Sequence, residues 1–383
     1  MRTTALCHDP VLMKDRSART AIICLCSTLL AVILIAPTAR AAPATAWHLS
    51  TIGAELAWAA ATGSGVTVAV IDSGVDADHP TLNGAVLPGR SYVEADGAAD
   101  PRPLLPGSAP APVHERASAQ ADPVGHGTAV AGLIAGRAAS GHPGVAPEAA
   151  ILPVRVLDDE NRYRDSAMVG DAVRWAVDNG ADVINLSLGG HYDSRAFADA
   201  IDYATRHDVL VVACTGNQPE ADSDEAVWFP ARLPDVLAVT GVDRAGQRWP
   251  TAVTGVETDL AAPSAGLTVA AAGGGHKEAT GTSFASAIVS GAAALVRSAR
   301  PELDVGEVRR LLTATAEHAG AGLGAGVVDA AAALAADPGS LPPPILTTAS
   351  HAAVPPWPIT AASAASAVLA AAATVRERRR IPV

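Results

Sequence analysis

Aromatic side chains are scarce in this chain: three Phe, four Tyr and six Trp among 383 residues. A core made without them must come from Ala, Gly and Val, whose short side chains let backbone layers approach closely. That suits a layered α/β architecture better than a Phe-rich sandwich. Cysteine is as sparse. Cys7, Cys24 and Cys26 fall within the first 41 residues, which leaves Cys214 alone beyond them, so an internal disulfide framework is excluded for the rest of the chain. Lys and Arg number 27 against 39 Asp and Glu, a net charge of −12. No long run of either sign occurs before the last few residues, which argues against the basic patch of a nucleic-acid binder. Two catalytic patterns are missing as well. There is no His-Glu-x-x-His to bind zinc, and Ser283 sits in Gly281-Thr282-Ser283-Phe284-Ala285, not in a Gly-x-Ser-x-Gly elbow.

What is present begins with an export-type leader. Arg2, Lys14, Arg16 and Arg19 precede the apolar run Ala21–Ala36, and Ala39-Arg40-Ala41 fits small-x-small cleavage. Residues 1–41 therefore read as a signal peptide, with an uncleaved anchor as the alternative. Near the other end, Ile359–Val375 is apolar enough for a marginal spanning helix, flanked by Trp357 and by Arg376, Arg378, Arg379 and Arg380. The expectation is a single-pass anchor at 359–375 with a basic cytoplasmic tail, 376–383, and everything between the two apolar segments outside the cytoplasm. A Pro-rich linker, 336–358, leads to it. A soluble Ala-rich tail on a freely secreted protein is the rival.

Between these ends, short Val/Ile/Leu-rich runs alternate with helical stretches. The strands are expected within Gly65–Asp72, Ala149–Leu157, Ala181–Leu188, Asp208–Gly216 and Asp235–Asp243, and helices within Asp165–Gly180 and Ser194–Asp208. Gly180 is placed as a helix C′ cap. Near-continuous apolar strands separated by helices imply a mostly parallel sheet covered on both faces, a single domain over 65–335 preceded by a short extension, 42–64. Working groups of such sheets gather at the carboxyl ends of the strands. The Pro-rich stretch Ala95–Pro123 is a long loop of unassigned role.

Asp72 closes the first of these strands in Val-Ile-Asp-Ser-Gly, and His126 stands between Gly125 and Gly127 at the start of a small-residue helix. Each has an ordinary structural reading by itself. Ser283 equally reads as a helix N-cap. The chain order Asp, His, Ser nevertheless matches one known order of a hydrolytic triad. A serine alcohol needs a neighbouring base, and that base needs an acid to hold its tautomer. Asn217, at a strand end in Thr-Gly-Asn-Gln, offers a side-chain N–H₂ to an oxyanion, with the Ser283 backbone N–H as second donor and the helix dipole behind it.

These stretches resemble the subtilisin-like serine proteases: Ala69–Pro80, Gly125–Gly136, Asn185–Gly190, Thr215–Gln218 and Gly281–Ser286 match, in order, the Asp, His, substrate-strand, oxyanion and Ser motifs. The resemblance spans about Thr51 to Ala335. Within the family the chain is most similar to the mycosins, the membrane-anchored subtilases associated with type VII secretion in actinobacteria. The resemblance implies a subtilisin-like fold and an endopeptidase with Asp72, His126 and Ser283 as triad and Asn217 in the oxyanion hole. It also implies that Ser187, Leu188 and Gly189 line the substrate groove and pair with an extended peptide. Peptide or protein substrates and secretion-complex components are the partners implied; no cofactor and no metal is expected. The acidic loops Asp158–Glu160 and Glu220–Glu225 read as solvated charges, and Cys214 as a small buried residue. Three departures matter, one of them the long Pro/Ala-rich loop that fills the spacing from Asp72 to His126. The paired cysteines of many mycosins are missing, and Ala287 stands where the family carries Pro after the nucleophile, which is expected to loosen the first helical turn. The alternative function is a structural component of the secretion assembly with low or incidental peptidase activity.

Overall fold

The computed structural model describes residues 46–93, 118–220 and 226–341. The leader, most of the Pro-rich loop, the linker beyond 341 and the apolar segment 359–375 lie outside the described residues. Among the described residues no helix is long and apolar enough to cross a membrane.

Five of the strands anticipated from sequence form where expected: β1 (Thr67–Asp72), β3 (Ala150–Arg155), β4 (Val183–Leu186), β5 (Leu210–Cys214) and β6 (Val236–Val242). With β2 (Arg90–Ser91) and β7 (Leu260–Pro263) they make one sheet in the order β2-β3-β1-β4-β5-β6-β7, every pair parallel. Alternate side chains along each strand face opposite layers. Val68, Val70, Val183, Leu210, Val212, Leu237 and Val239 share one buried cluster, whereas Ala69, Ile71, Ile184, Leu186, Val211 and Ala213 belong to the other. The second cluster is covered by α4 (Ser166–Asp178) and α5 (Arg195–Arg206). Asp165 starts α4 by accepting the Met168 N–H at 2.8 Å, and Gly180 follows its C-cap at φ 81°.

The first cluster holds α3 (His126–Ala135) and α6 (Thr282–Ala299). Every residue of α6 from Thr282 to Arg297 is buried, so its apolarity runs all round, as a helix inside a core requires. Small residues make this fit. A Cβ on Gly291 would lie 2.6 Å from Val145. The extension folds into α1 (Trp47–Thr51) and α2 (Ala54–Ala57), whose Leu49, Ile52, Ala54 and Ala57 join the same cluster. An antiparallel pair, β8 (Leu267–Ala270) and β9 (His276–Ala279), was not anticipated. Its turn, Gly273-Gly274-Gly275, has φ positive at all three.

The chain leaves β1 to build β3 on one side and β4 on the other, so the order reverses beside β1. Crevices at such a switch point, outside the strand carboxyl ends, are where sheets of this kind place ligands.

One packed group makes the fold acid-sensitive. His48 on α1 is 3% exposed and neither ring nitrogen has a partner among the described residues. Burial lowers its pKa to about 4 from 6.5. The unfolded chain thus binds a proton between these values that the folded chain refuses, and stability falls as pH drops through that window, by about 3 kcal/mol in all. Urea unfolding at about pH 7 and pH 4.5 is expected to show a smaller difference for His48→Leu than for the parent; an equal difference would refute the assignment.

Candidate active site

Asp72 ends β1 with no exposed surface. Its Oδ1 accepts the Ser73 N–H at 2.7 Å and faces His126 Nδ1 at 2.8 Å. An ionised carboxylate only accepts, so Nδ1 carries the proton and Nε2 presents a lone pair. The glycines around His126 make the approach possible. A Cβ on Gly127 would sit 2.0 Å from the Gly74 carbonyl oxygen and 3.1 Å from Asp72 Cβ, and Gly125 holds φ 81°.

Behind this pair stands Asp122, a residue that motif reading passed over. Its carboxylate accepts from Ser73 Oγ (2.8 Å), Gly125 N (2.7 Å), Thr128 N (2.8 Å) and Thr128 Oγ1 (2.6 Å). Ser73 Oγ in turn accepts the Gly127 N–H at 3.0 Å. The first turn of α3 is therefore tied to the end of β1 on both sides of His126. Burial pulls the imidazole pKa down, but the charge and hydrogen bond of Asp72, with Asp122 behind, raise it further, and the net position is above 6.5; Lys277 works against them.

Ser283 lies in the first turn of α6, not at its cap. The N-cap is Gly281, and no side chain caps the helix. The expected start at Ser283 is thus displaced by one residue and the capping role falls away. The Ser283 hydroxyl instead donates to the Ser187 carbonyl at 3.2 Å, while Ser187 Oγ donates to the Ser283 carbonyl at 2.8 Å. Phe284, the next residue, places its ring 5.7 Å from that of His126. Helix α6 is continuous through Ala287, and the Ser283 carbonyl also accepts from Ser286 Oγ at 2.9 Å. Asn185 joins this buried seam by donating to Ser187 Oγ at 2.8 Å and accepting from Ser290 Oγ at 3.1 Å.

Asn217 is oriented by Thr282, another residue the motifs did not single out. Its Oδ1 accepts from Thr282 N at 2.9 Å and Thr282 Oγ1 at 3.1 Å, which leaves Nδ2 as the free end. In the same helical turn the Phe284 N–H donates to Gly281, and the Ser283 N–H stays available as a second donor. Ser187 and Leu188 turn buried side chains inward, whereas Gly189 and Gly190 are partly exposed, with both backbone groups of Gly190 paired to Phe229. Cys214 is buried and free, and burial pushes its thiol up to about 11, as expected of a packing residue. The Asp158 carboxylate accepts from Glu160 N and Arg162 N, and Asp159 pairs with Arg155 at 2.7 Å.

The subtilase family profile (Peptidase_S8) matches residues 63–336. The chain belongs to the subtilase family. It is 37% identical over 275 residues to the subtilisin of Bacillus pumilus, covering 71% of this chain and 92% of that one. Among solved structures, the subtilase resembles the MycP3 protease from the type VII (ESX-3) secretion system, with 30% identity, TM-score 0.62, and 78% and 90% of the two chains covered. It also resembles MycP1 from Mycobacterium smegmatis, with 28% identity, TM-score 0.62, and 78% and 86% covered. The subtilase is accordingly a serine endopeptidase with a subtilisin-like α/β fold.

Proposed function

We propose that this subtilase cleaves peptide bonds through Asp72, His126 and Ser283, outside the cytoplasm and tethered to the membrane by residues 359–375, in association with a type VII secretion system. The observation that carries the catalytic part is the Asp72–His126 hydrogen bond at 2.8 Å, with Ser283 on the adjoining first turn of α6. Rotation about χ1 takes the Ser283 hydroxyl from the Ser187 carbonyl toward His126 Nε2. That nitrogen removes its proton as Oγ attacks the scissile carbonyl, and Asp72 stabilises the imidazolium. The tetrahedral oxygen takes up Asn217 Nδ2 and the Ser283 N–H. The imidazolium then protonates the leaving amine, and water hydrolyses the acyl-enzyme by the same route. The tether rests on the apolar run with its flanking arginines, and the secretion link on the likeness to the MycP1 and MycP3 structures.

A fluorophosphonate that reacts with activated serines tests the site. The full-length protein should label, and His126→Ala should not; equal labelling of both would remove His126 from the mechanism. The raised pKa of His126 adds a prediction on pH. Only the neutral imidazole is a base, so kcat/KM should rise with pH around a midpoint above 6.5. Lys277→Gln removes the charge that opposes protonation and should move this midpoint further up. A profile from about pH 5 to 9 decides it, and a downward move would contradict the charge assignment.

A second reading is favoured by the resting hydrogen bond of Ser283 to Ser187: the protein serves the secretion assembly as a structural component and its peptidase activity is low. Secretion that survives Ser283→Ala but fails on deletion of the whole protein would select it; loss in both strains would reject it.

A further inference from the structure

We infer that the indole of Trp228 fills the space a substrate would use for the side chain preceding the cleaved bond (P1), restricting this subtilase to Gly, Ala or Ser there. The inference rests on the peptidase reading above and deepens it.

The place of that side chain follows from the groups already described. The scissile carbonyl carbon must lie within reach of Ser283 Oγ, with its oxygen toward Asn217 Nδ2. The preceding peptide runs along the backbone of 187–190. The P1 side chain then enters the gap between two walls, Ser187–Gly190 and Cys214–Asn217. These walls prolong β4 and β5, neighbours in the sheet about 4.8 Å apart.

The segment Val227–Phe229 crosses this gap and is pinned to both walls. Trp228 N–H donates to the Thr215 carbonyl at 2.9 Å, and Phe229 exchanges two backbone hydrogen bonds with Gly190, at 2.8 and 2.9 Å. The Trp228 ring lies against Gly216, the residue before Asn217. A Cβ at Gly216 would stand 2.5 Å from Cδ2 and 2.7 Å from Cε2 of the indole. On the other wall a Cβ at Gly189 would stand 3.4 Å from Trp228 Cβ and 2.6 Å from the Phe229 carbonyl oxygen. Gly216 thus makes room for the indole itself, and Gly189 for the backbone of Phe229 that carries the segment across. His191 packs on the ring edge, 5.4 Å between centroids. An aromatic ring seated one residue from the oxyanion donor occupies the volume a Phe or Leu side chain would need. A methyl or hydroxymethyl group requires little of it.

The test measures kcat/KM of the full-length protein on quenched peptides that differ only at P1, with Gly, Ala, Leu or Phe. Ala should exceed Phe by about 100-fold, and Trp228→Gly should bring that ratio down to about 10-fold or less. Trp228→Leu, which keeps an apolar contact on Gly216, should fall between them, and it reports on the pocket should the Gly variant not fold. Cleavage after Phe as fast as after Ala in the parent protein, or a ratio that both variants leave unchanged, would overturn the inference. Fluorophosphonate labelling of Ser283 separates the two levels. Labelling without P1 discrimination rejects only the filled pocket, whereas no labelling and no cleavage of any peptide rejects the peptidase reading with it.

Discussion

Ser283→Ala will lower kcat by about a millionfold and leave the fold in place, a magnitude established on subtilisins themselves, relatives of this chain. The loss is large because, in the proposed mechanism, the hydroxyl is the attacking atom. The fold survives because Oγ makes only weak contacts, 3.2 Å to the Ser187 carbonyl and one with the buried Cys214 thiol. The tie that fixes the α6 start runs the other way, from Ser187 Oγ and Ser286 Oγ to the Ser283 carbonyl, and alanine keeps that carbonyl. Thermal unfolding midpoints should therefore agree within a few degrees, as for a change of under about 1 kcal/mol. Nucleophile and base act as a unit, so adding His126→Ala should cost little more than the single substitution. A variant that retained a tenth of the activity in pure preparation would show that another group is the nucleophile.

Asn217→Ala is expected to lower kcat by roughly 10²–10³ with a smaller change in KM, a range likewise established on a subtilisin. Its Nδ2 contributes only once charge develops on the carbonyl oxygen, so the loss belongs to the transition state. Alanine also leaves Thr282 N without its acceptor, while Thr282 Oγ1 keeps the Gly216 carbonyl at 3.1 Å, and part of any stability change comes from that. Asn217→Asp separates the two effects. Its carboxylate still accepts from Thr282 but sets a negative charge against the oxyanion, so the variant should be as stable as the parent and at least as impaired as Asn217→Ala. Activity close to that of the parent protein would remove Asn217 from the oxyanion site. Steady-state kinetics on one peptide, with urea unfolding alongside, distinguishes the outcomes.

The four residues in these arguments stood out as candidates in the sequence because each is bracketed by short-range constraints. Asp72 follows an apolar strand, His126 lies between glycines that permit its approach, and Asn217 and Ser283 stand at element ends. Such constraints act between chain neighbours. The long-range contacts that support them had no local mark. Asp122 meets Ser73 across 49 positions, Ser187 meets Ser283 across 96, and Asn185 meets Ser290 across 105. Each is a common polar residue in its own stretch, and only the packing of α3 and α6 against the sheet brings the stretches together. Strand β7, Leu-Ala-Ala-Pro, was missed for a related reason. It is four residues long and weak in β-branched side chains, and it is a strand because β6 pairs with it.

The apolar runs and their alternation with helices were enough to dictate a parallel sheet, since those strands have no polar face to give to solvent. The scarcity of aromatics dictated close backbone layers, and α6, in which Ala and Ser predominate, is the helix those layers enclose. Three matters waited for the fold. The hydroxyl of Ser283 rests on Ser187 and not at a helix cap, because Gly281 takes the cap and β4 ends against the first turn of α6. The imidazole of His126 titrates high because two carboxylates from separate segments converge on it more strongly than burial and Lys277 oppose them. Trp228 reaches Gly216 because the segment before β6 crosses the ends of β4 and β5, a placement set by strand order. Chemistry that depends on neighbours in the chain is written locally; chemistry that depends on which strand lies beside which appears only when the sheet has formed.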